Sequence, residues 1–440
     1  MGNDRTGRAL SAVPTPVADE NHRMSKIAVI GAGITGITTA YALIEQGHAV
    51  TILDRHRYAA METSFANGGQ LSACNAEVWN NWGTVLKGLK WILRADAPLL
   101  LNPKPSVHKY SWLAEFVGHI KDYRQNTIAT TRLAIEARKL LTGIAEKEGV
   151  AFDLERRGIL HIYRDKPSFD RADTVNTLLG QGGLDRRAVT PEEMRQIEPT
   201  LHGSYHGGFY TPSDATGDIH KFTRGLAEVC ERRGGQFLYG ANVDAITHHA
   251  GGITLTWSPA TPGSKPEKIE FDAVVVCAGV ASRHFAQMLG DRINVYPVKG
   301  YSITVCLDDE LSQRAAPRVS LLDDHTKIVT SRLGPDRFRV AGTAEFNGRN
   351  LDIRADRIRP LVQWTQSLFP DVSTARVIPW AGLRPMTPSL MPRVGAGSRP
   401  GVFYNTGHGH LGWTLSAATA QLVAEALHQS VTRNDRSEAA

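Results

Sequence analysis

The sequence predicts an α/β protein: a discontinuous Rossmann-like dinucleotide-binding domain into which a β-rich domain, antiparallel sheet plus helices, is inserted. Three observations carry this reading. A glycine motif joins a strand to a helix near the N-terminus, two later segments return to the same small-residue pattern, and the chain between them reads mainly as strands. The 440 residues supply enough length for two or three cores.

Lys26-Ile-Ala-Val-Ile30 reads as a short buried strand. Ile37 to Gln46 has apolar residues at helical spacing and stops at Gly47, and His48 to Asp54 is a second strand ending in an acid. Between the first strand and the helix lies Gly31-x-Gly33-x-x-Gly36. Gly31 permits the tight turn, Gly33 leaves room for a pyrophosphate against the backbone, and Gly36 lets helix and strand pack closely. The helix N-terminus offers N–H groups and a positive dipole end to phosphates. Asp54 follows Gly36 by 54 − 36 = 18 residues, where a carboxylate accepts both ribose hydroxyls and disfavours a 2′-phosphate, hence NADP. The motif by itself leaves FAD and NAD open. The loop Glu62 to Ser72 gathers Ser64, Asn67, Gly68, Gly69 and Gln70, small residues and amides that suit a backbone wrapping a long ligand; a plain surface loop fits these residues equally well.

Phe271-Asp-Ala-Val-Val-Val-Cys-Ala278-Gly279 is a buried-strand run ending in small residues. Gly401 to Thr414 reads as strand, glycine turn (Gly407, Gly409, Gly412) and helix start, with the helix continuing from Leu415 to His428. Between these returns and the first motif, Arg132 to Gly149 is helical, and Gly158 to Tyr163, Tyr296 to Val305 and Arg337 to Thr343 read as strands. Asp352 to Phe369 is a helical stretch that Pro360 is expected to break or kink, and Thr261 to Pro266 is a loop.

Composition narrows the function classes. At 42% hydrophobic and 21% charged residues the chain is ordinary globular protein. Cys74, Cys230, Cys277 and Cys306 lack the spacing of a zinc site or redox pair, so reduced thiols, no metal site and a cytoplasmic setting are expected. The net charge is 50 − 44 = +6, and without a dense basic run it predicts no nucleic-acid partner. No run of about 18 apolar residues is present; Trp91 to Leu101 comes nearest and is broken by Arg94, Asp96 and Pro98. Met1 to Arg23 has no apolar core of a secretory signal and reads as a disordered extension or an alternative start.

Several motifs together resemble the bacterial FAD-dependent D-amino acid dehydrogenases, within the wider D-amino acid oxidase and glycine oxidase family. They are Gly31-x-Gly33-x-x-Gly36 with Asp54-Arg55, Glu62-Thr-Ser-Phe-Ala-Asn67, Tyr296-Pro-Val-Lys-Gly-Tyr-Ser302, Trp380-Ala-Gly-Leu-Arg384-Pro-Met-Thr-Pro, and Asn405-Thr-Gly-His-Gly409 with Leu411-Gly-Trp-Thr414. The resemblance runs from about Lys26 to about Gln429. It implies non-covalent FAD and oxidative deamination of D-amino acids to 2-oxo acids and ammonia by hydride transfer from Cα to flavin N5. A quinone-type acceptor and peripheral association with the cytoplasmic membrane are also implied. An oxygen-using oxidase of glycine, sarcosine or hydroxyproline, and a non-catalytic flavoprotein subunit, stand as alternatives. On this reading the FAD-binding domain comprises residues 25–95, 203–293 and 375–430, and the substrate domain 96–202 and 294–374. Residues 1–24 form a disordered extension and 431–440 a flexible tail.

The cofactor residues that motif and resemblance imply are Ile30, Gly31, Gly33, Ile34, Thr35, Gly36, Asp54, Arg55, Ser64, Asn67, Gly68, Gln70, Val243, Ala278, Gly279, Gly382, Gly407, His408, Gly409, Leu411, Gly412, Trp413 and Thr414. A substrate carboxylate needs a clamp that turns Cα–H toward the ring, and the planar fork of an arginine suits it. The resemblance gives Arg384 that role. Tyr301 is the tyrosine candidate for completing carboxylate binding, ahead of Tyr296 and Tyr210, and His410 is a candidate substrate contact. His410 departs from the small or hydroxyl residue usual at its position. No general base is required, because the amine has only to be neutral when the hydride leaves.

Overall fold

The structure, a computed structural model, describes residues 24–91, 99–261 and 263–438. Residues 1–23, expected as an extension, lie outside it. Strand β1 (Lys26–Ile30), helix α1 (Ile34–Glu45) and strand β2 (Ala49–Asp54) form the predicted βαβ unit, with β1 and β2 parallel. The returning segments complete this sheet. Ala273–Val276 pairs parallel to β1, and Val402–Thr406 pairs parallel to Ala273–Val276 in turn. Gln236–Tyr239 extends the other edge beside β2, and Arg393–Ala396 closes the sheet antiparallel to Val402–Thr406. Both faces are covered, so the strands are near-continuous apolar runs. Ile27, Val29, Val275 and Phe403 pack beneath α1 and the C-terminal helix, whereas Ala28, Ile30, Val274 and Val276 pack on the other face.

A nine-stranded, mainly antiparallel sheet forms the second layer. Its longest strand, Tyr296–Cys306, lies next to one edge, between the edge strand Val377–Met386 and Arg337–Phe346, on which the short Leu99–Leu101 also pairs. Ile328–Leu333 and Ser320–Asp323 follow, then Ile159–Tyr163, Gly207–Thr211 and Arg187–Val189. The expected boundaries at 203 and 375 cut across this sheet. Gly207–Thr211 and Val377–Met386, assigned by sequence to the nucleotide domain, hydrogen-bond in the second sheet instead. A strand joins whichever sheet satisfies its backbone, and the linear order of domains does not encode that choice.

Two further readings change. The helix Ala355–Leu368 runs through Pro360 without a break. Proline removes one intrahelical donor there, and packing of Leu361, Trp364 and Leu368 into the core of the second layer holds the helix on both sides. The C-terminal helix spans Gly412–Glu438 and takes in most of the stretch expected as a tail.

Among the links between the two layers is an isolated antiparallel bridge between Met386, at the end of its strand, and His408, in the glycine turn that follows Val402–Thr406.

Candidate active site

A cavity of about 1130 Å³ runs between the two layers. At one end it is lined by the glycine turn of the βαβ unit, at the other by the face of the second sheet that carries Arg384.

The three motif glycines separate by what surrounds them. Gly31 has φ +108°, and a Cβ there would lie 2.7 Å from the Cys277 carbonyl oxygen; a Cβ at Gly36 would overlap the Gly31 carbonyl oxygen. Protein packing demands glycine at both positions. At Gly33 an added Cβ meets nothing nearer than the Ser64 hydroxyl at 3.5 Å, so the space it leaves is cavity. Asp54 is oriented by accepting from Ala32 N (2.6 Å) and His56 N (2.8 Å), with its carboxylate at the cavity edge. The first turn of α1 is not wholly open: Ile34 N donates to Ser64 Oγ at 3.0 Å.

Most of the predicted cofactor residues line this cavity: Ile30, Ile34, Thr35, Arg55, Val243, Ala278, Gly279, Gly382, Gly407, His408, Gly409, Gly412 and Trp413, with the residues just named. Gly36, Leu411 and Thr414 do not. Gly36 lies behind the turn, and Leu411 is buried against Ala73 and Leu415. Thr414 acts on the protein, its hydroxyl accepting from Ser72 N at 3.1 Å. The amides of the 62–72 loop are also spent internally. Asn67 Oδ1 accepts from Gly69 N (2.9 Å), and Gln70 Nε2 donates to Ser320 Oγ (2.8 Å), so side-chain amides fix the loop and its backbone faces the cavity.

On the opposite wall, strand pairing decides which side chains face in. Val298, Gly300 and Ser302 stand across from Arg384, Gly382 and Trp380, and directly paired residues share a face. Gly300 is essential to this wall, because a Cβ there would occupy the volume of the Arg384 guanidinium. Arg384 lies flat over that glycine and donates to the Thr343 carbonyl at 3.1 Å. Thr343 sits where the register between Tyr296–Cys306 and Arg337–Phe346 slips by one residue, with φ +60°, an outlier for a β-branched residue. The slip turns its carbonyl toward the guanidinium and leaves its hydroxyl without a hydrogen-bond partner in the cavity wall. No carboxylate lies within ion-pairing distance of Arg384 among the described residues, and burial alone brings its pKa down to about 10. A half-buried cation facing a cavity without a counter-ion is a receptor for an anion.

Tyr301 contributes to the lining of the cavity, but its side chain is turned away from Arg384. It falls on the other face of its strand, where its hydroxyl donates to Glu345 Oε2 at 3.1 Å within a buried network that includes Lys299. Tyr296 accepts from Gly348 N and Tyr210 donates to the Arg157 carbonyl, and neither reserve candidate is among the residues that line the cavity.

His410 lies beside Arg384 and stacks on Trp79, ring centroids 4.6 Å apart. Its Nε2–H donates to the Asn75 carbonyl at 3.2 Å. Trp79 and Asn75, not singled out as site residues by the sequence, belong to the stretch 71–79. His408 is buried and meets the Thr419 hydroxyl at 3.0 Å. Burial brings the pKa of His408 down to about 3 and that of His410 to about 4, so both are neutral at physiological pH. Between those values and the unfolded value near 6.5 the unfolded chain binds more protons, so stability is full above about 6.5 and falls with pH below it. The pH dependence of the melting temperature checks this: His408→Gln should flatten the acid limb of the curve by about one proton's worth of slope.

Comparison with known proteins agrees with the cradle. The profile of the FAD dependent oxidoreductase family matches residues 26–426. The chain belongs to this family. A relative named D-amino acid dehydrogenase 3, from Mesorhizobium japonicum, is 65% identical over 91% of this chain and 96% of its own length. The D-amino acid dehydrogenase of Dechloromonas aromatica is 41% identical over 91% of this chain and 96% of its own. Among solved structures, glycine oxidase from Geobacillus kaustophilus superposes with a TM-score of 0.71 at 20% identity, covering 92% of this chain and 95% of that one. That likeness shows the fold. Family membership makes the chain a FAD-dependent oxidoreductase. The fit to its cofactor is visible in the open space at Gly33 and in the turn at Gly407 (φ +78°) and Gly409 (φ +59°), whose residues line the same cavity.

Proposed function

We propose that the protein is a D-amino acid dehydrogenase in which Arg384 clamps the substrate carboxylate. The observation that carries the clamp is the half-buried guanidinium, without an ion-pair partner, on the Gly300 shelf, facing the same cavity as the glycine cradle. The names of the two relatives support the substrate class. Bound FAD supplies the two-electron acceptor for the hydride of Cα. The chain's residues do the rest. Arg384 and the Thr343 hydroxyl orient the acid end, and neutral His410 on Trp79 walls the amine side. The cationic, dehydrated surroundings favour the neutral amine that hydride loss requires. The cofactor contacts are the cavity-lining residues given above, Gly36 and Thr414 acting by positioning. We propose lobe boundaries that follow the sheets, with Gly207–Thr211 and Val377–Met386 counted in the substrate lobe.

Anaerobic titration with D-alanine tests the reading: flavin absorbance should bleach with the D-enantiomer and persist with the L. Persistent colour with a panel of D-amino acids would remove it. Peroxide yield in air separates dehydrogenase from oxidase, the former giving little.

Electrons then pass to a quinone at the cytoplasmic membrane. No helix among the described residues is long and apolar enough to cross a bilayer, and the contact proposed is peripheral. Support comes from the helices Trp82–Trp91 and Val107–Gly118, which expose Trp82, Leu86, Val107, Tyr110 and Val117. Val85, Leu113 and Phe116 of the same helices line an apolar arm of the cavity. Trp82→Asp with Leu86→Asp should cut binding to anionic vesicles and quinone-linked turnover at least tenfold while dye-linked turnover persists. Equal loss of both activities would argue against this surface.

A further inference from the structure

We infer that the cavity holds a second carboxylate-binding site, centred on Arg186 at the end formed by the strand Ile159–Tyr163. Arg186 is 7% exposed and lines the cavity. Its guanidinium makes a long contact to the Tyr163 hydroxyl at 3.4 Å, and its Nε has no hydrogen-bond partner. Its guanidinium lies over the Phe209 ring, 4.6 Å from the centroid, which fixes the plane of the fork.

The neighbouring acids Glu77 and Asp324 line the same cavity, and Glu77 feels the charge of Arg186, but each has its direct contact elsewhere. Glu77 accepts from the Tyr123 hydroxyl at 2.7 Å, and Asp324 pairs with Lys327. Neither lies within 4 Å of Arg186, and no other carboxylate among the described residues does. His161, on the same strand face as Tyr163, meets Cys74 Sγ at 3.1 Å and is held neutral by burial. A desolvated guanidinium without an anion is costly, so the site is built to be filled. Its planar fork matches a carboxylate, and every substrate and product of the proposed deamination carries one. The choice of carboxylate rests on that reading of function.

The site is distinct from the Arg384 clamp. Across the segment 74–79, Asn75 and Trp79 meet His410, beside Arg384, whereas Cys74 and Glu77 meet His161 and Tyr123. Two sources can deliver the anion: the distal carboxylate of D-glutamate or D-aspartate, or a free 2-oxo acid.

Calorimetric titration of the wild-type holoenzyme with pyruvate, together with kinetics of D-glutamate and D-alanine, tests the site. Capture of a free 2-oxo acid predicts two pyruvate-binding events per chain. One disappears in Arg384→Met and the other, with its noncompetitive inhibition, in Arg186→Met. Capture of a distal carboxylate predicts that the ratio of kcat/KM for D-glutamate to that for D-alanine falls at least tenfold in Arg186→Met, through KM. Arg186→Lys, which keeps the charge and loses the fork, should give an intermediate value in either case. A single pyruvate event in the wild type, with the D-glutamate to D-alanine ratio unmoved in Arg186→Lys, overturns the inference. Failure of D-alanine to bleach the flavin would instead sink the reaction itself.

Discussion

Replacing Arg384 with methionine is expected to lower kcat/KM for a D-amino acid by about three powers of ten, close to 4 kcal/mol, mostly in KM. The protein should remain folded and yellow, because the guanidinium is held by a hydrogen bond to the Thr343 carbonyl and by no ion pair among the described residues. Steady-state kinetics beside flavin absorbance checks both halves. Gly300→Ala offers an independent test through a residue with no functional group. Its methyl would take the guanidinium's place, so the arginine must leave its shelf, and KM should rise in the same direction. A Gly300→Ala enzyme with wild-type KM would falsify the geometry of the clamp.

Gly33→Val is expected to give a soluble, folded and colourless protein that takes up no added FAD. The reasoning turns on contrast with Gly36. Around Gly33 the protein leaves room, and valine would fill space needed by a ligand. Around Gly36 there is no room: even alanine would overlap the Gly31 carbonyl oxygen, so Gly36→Ala should fail to fold rather than merely fail to bind. Circular dichroism and flavin stoichiometry distinguish the two outcomes. Yellow Gly33→Val protein with one FAD per chain would contradict the assignment of that space to the cofactor.

The nucleotide side was legible because its signals are local. Three glycines, an acid 18 residues on and two strand–glycine returns each state a backbone requirement at one place in the chain. The substrate side was less so, and Tyr301 shows why. All eleven residues of Tyr296–Cys306 are buried, so the period-two alternation that tells one strand face from the other is absent. Gly300 and Tyr301 are adjacent in sequence and point to opposite sides of the sheet; only the pairing with Val377–Met386 says which side is which. Arg384 was reachable through its motif. Arg186 and Thr343 were not, since what marks them is a missing partner and a one-residue slip, both properties of tertiary structure. The lobe boundaries proposed here depart from those at 203 and 375 for a related reason: hydrogen-bond partners are chosen across the fold.

The bridge between Met386 and His408 bears on how the two proposed grips are spaced. Met386 follows Arg384 by two residues on one strand, and His408 belongs to the turn that lines the cofactor side of the cavity. The strand proposed to anchor the acid and the turn proposed to cradle the ring thus meet backbone to backbone, so their separation is tied to main chain and not to side-chain rotamers alone.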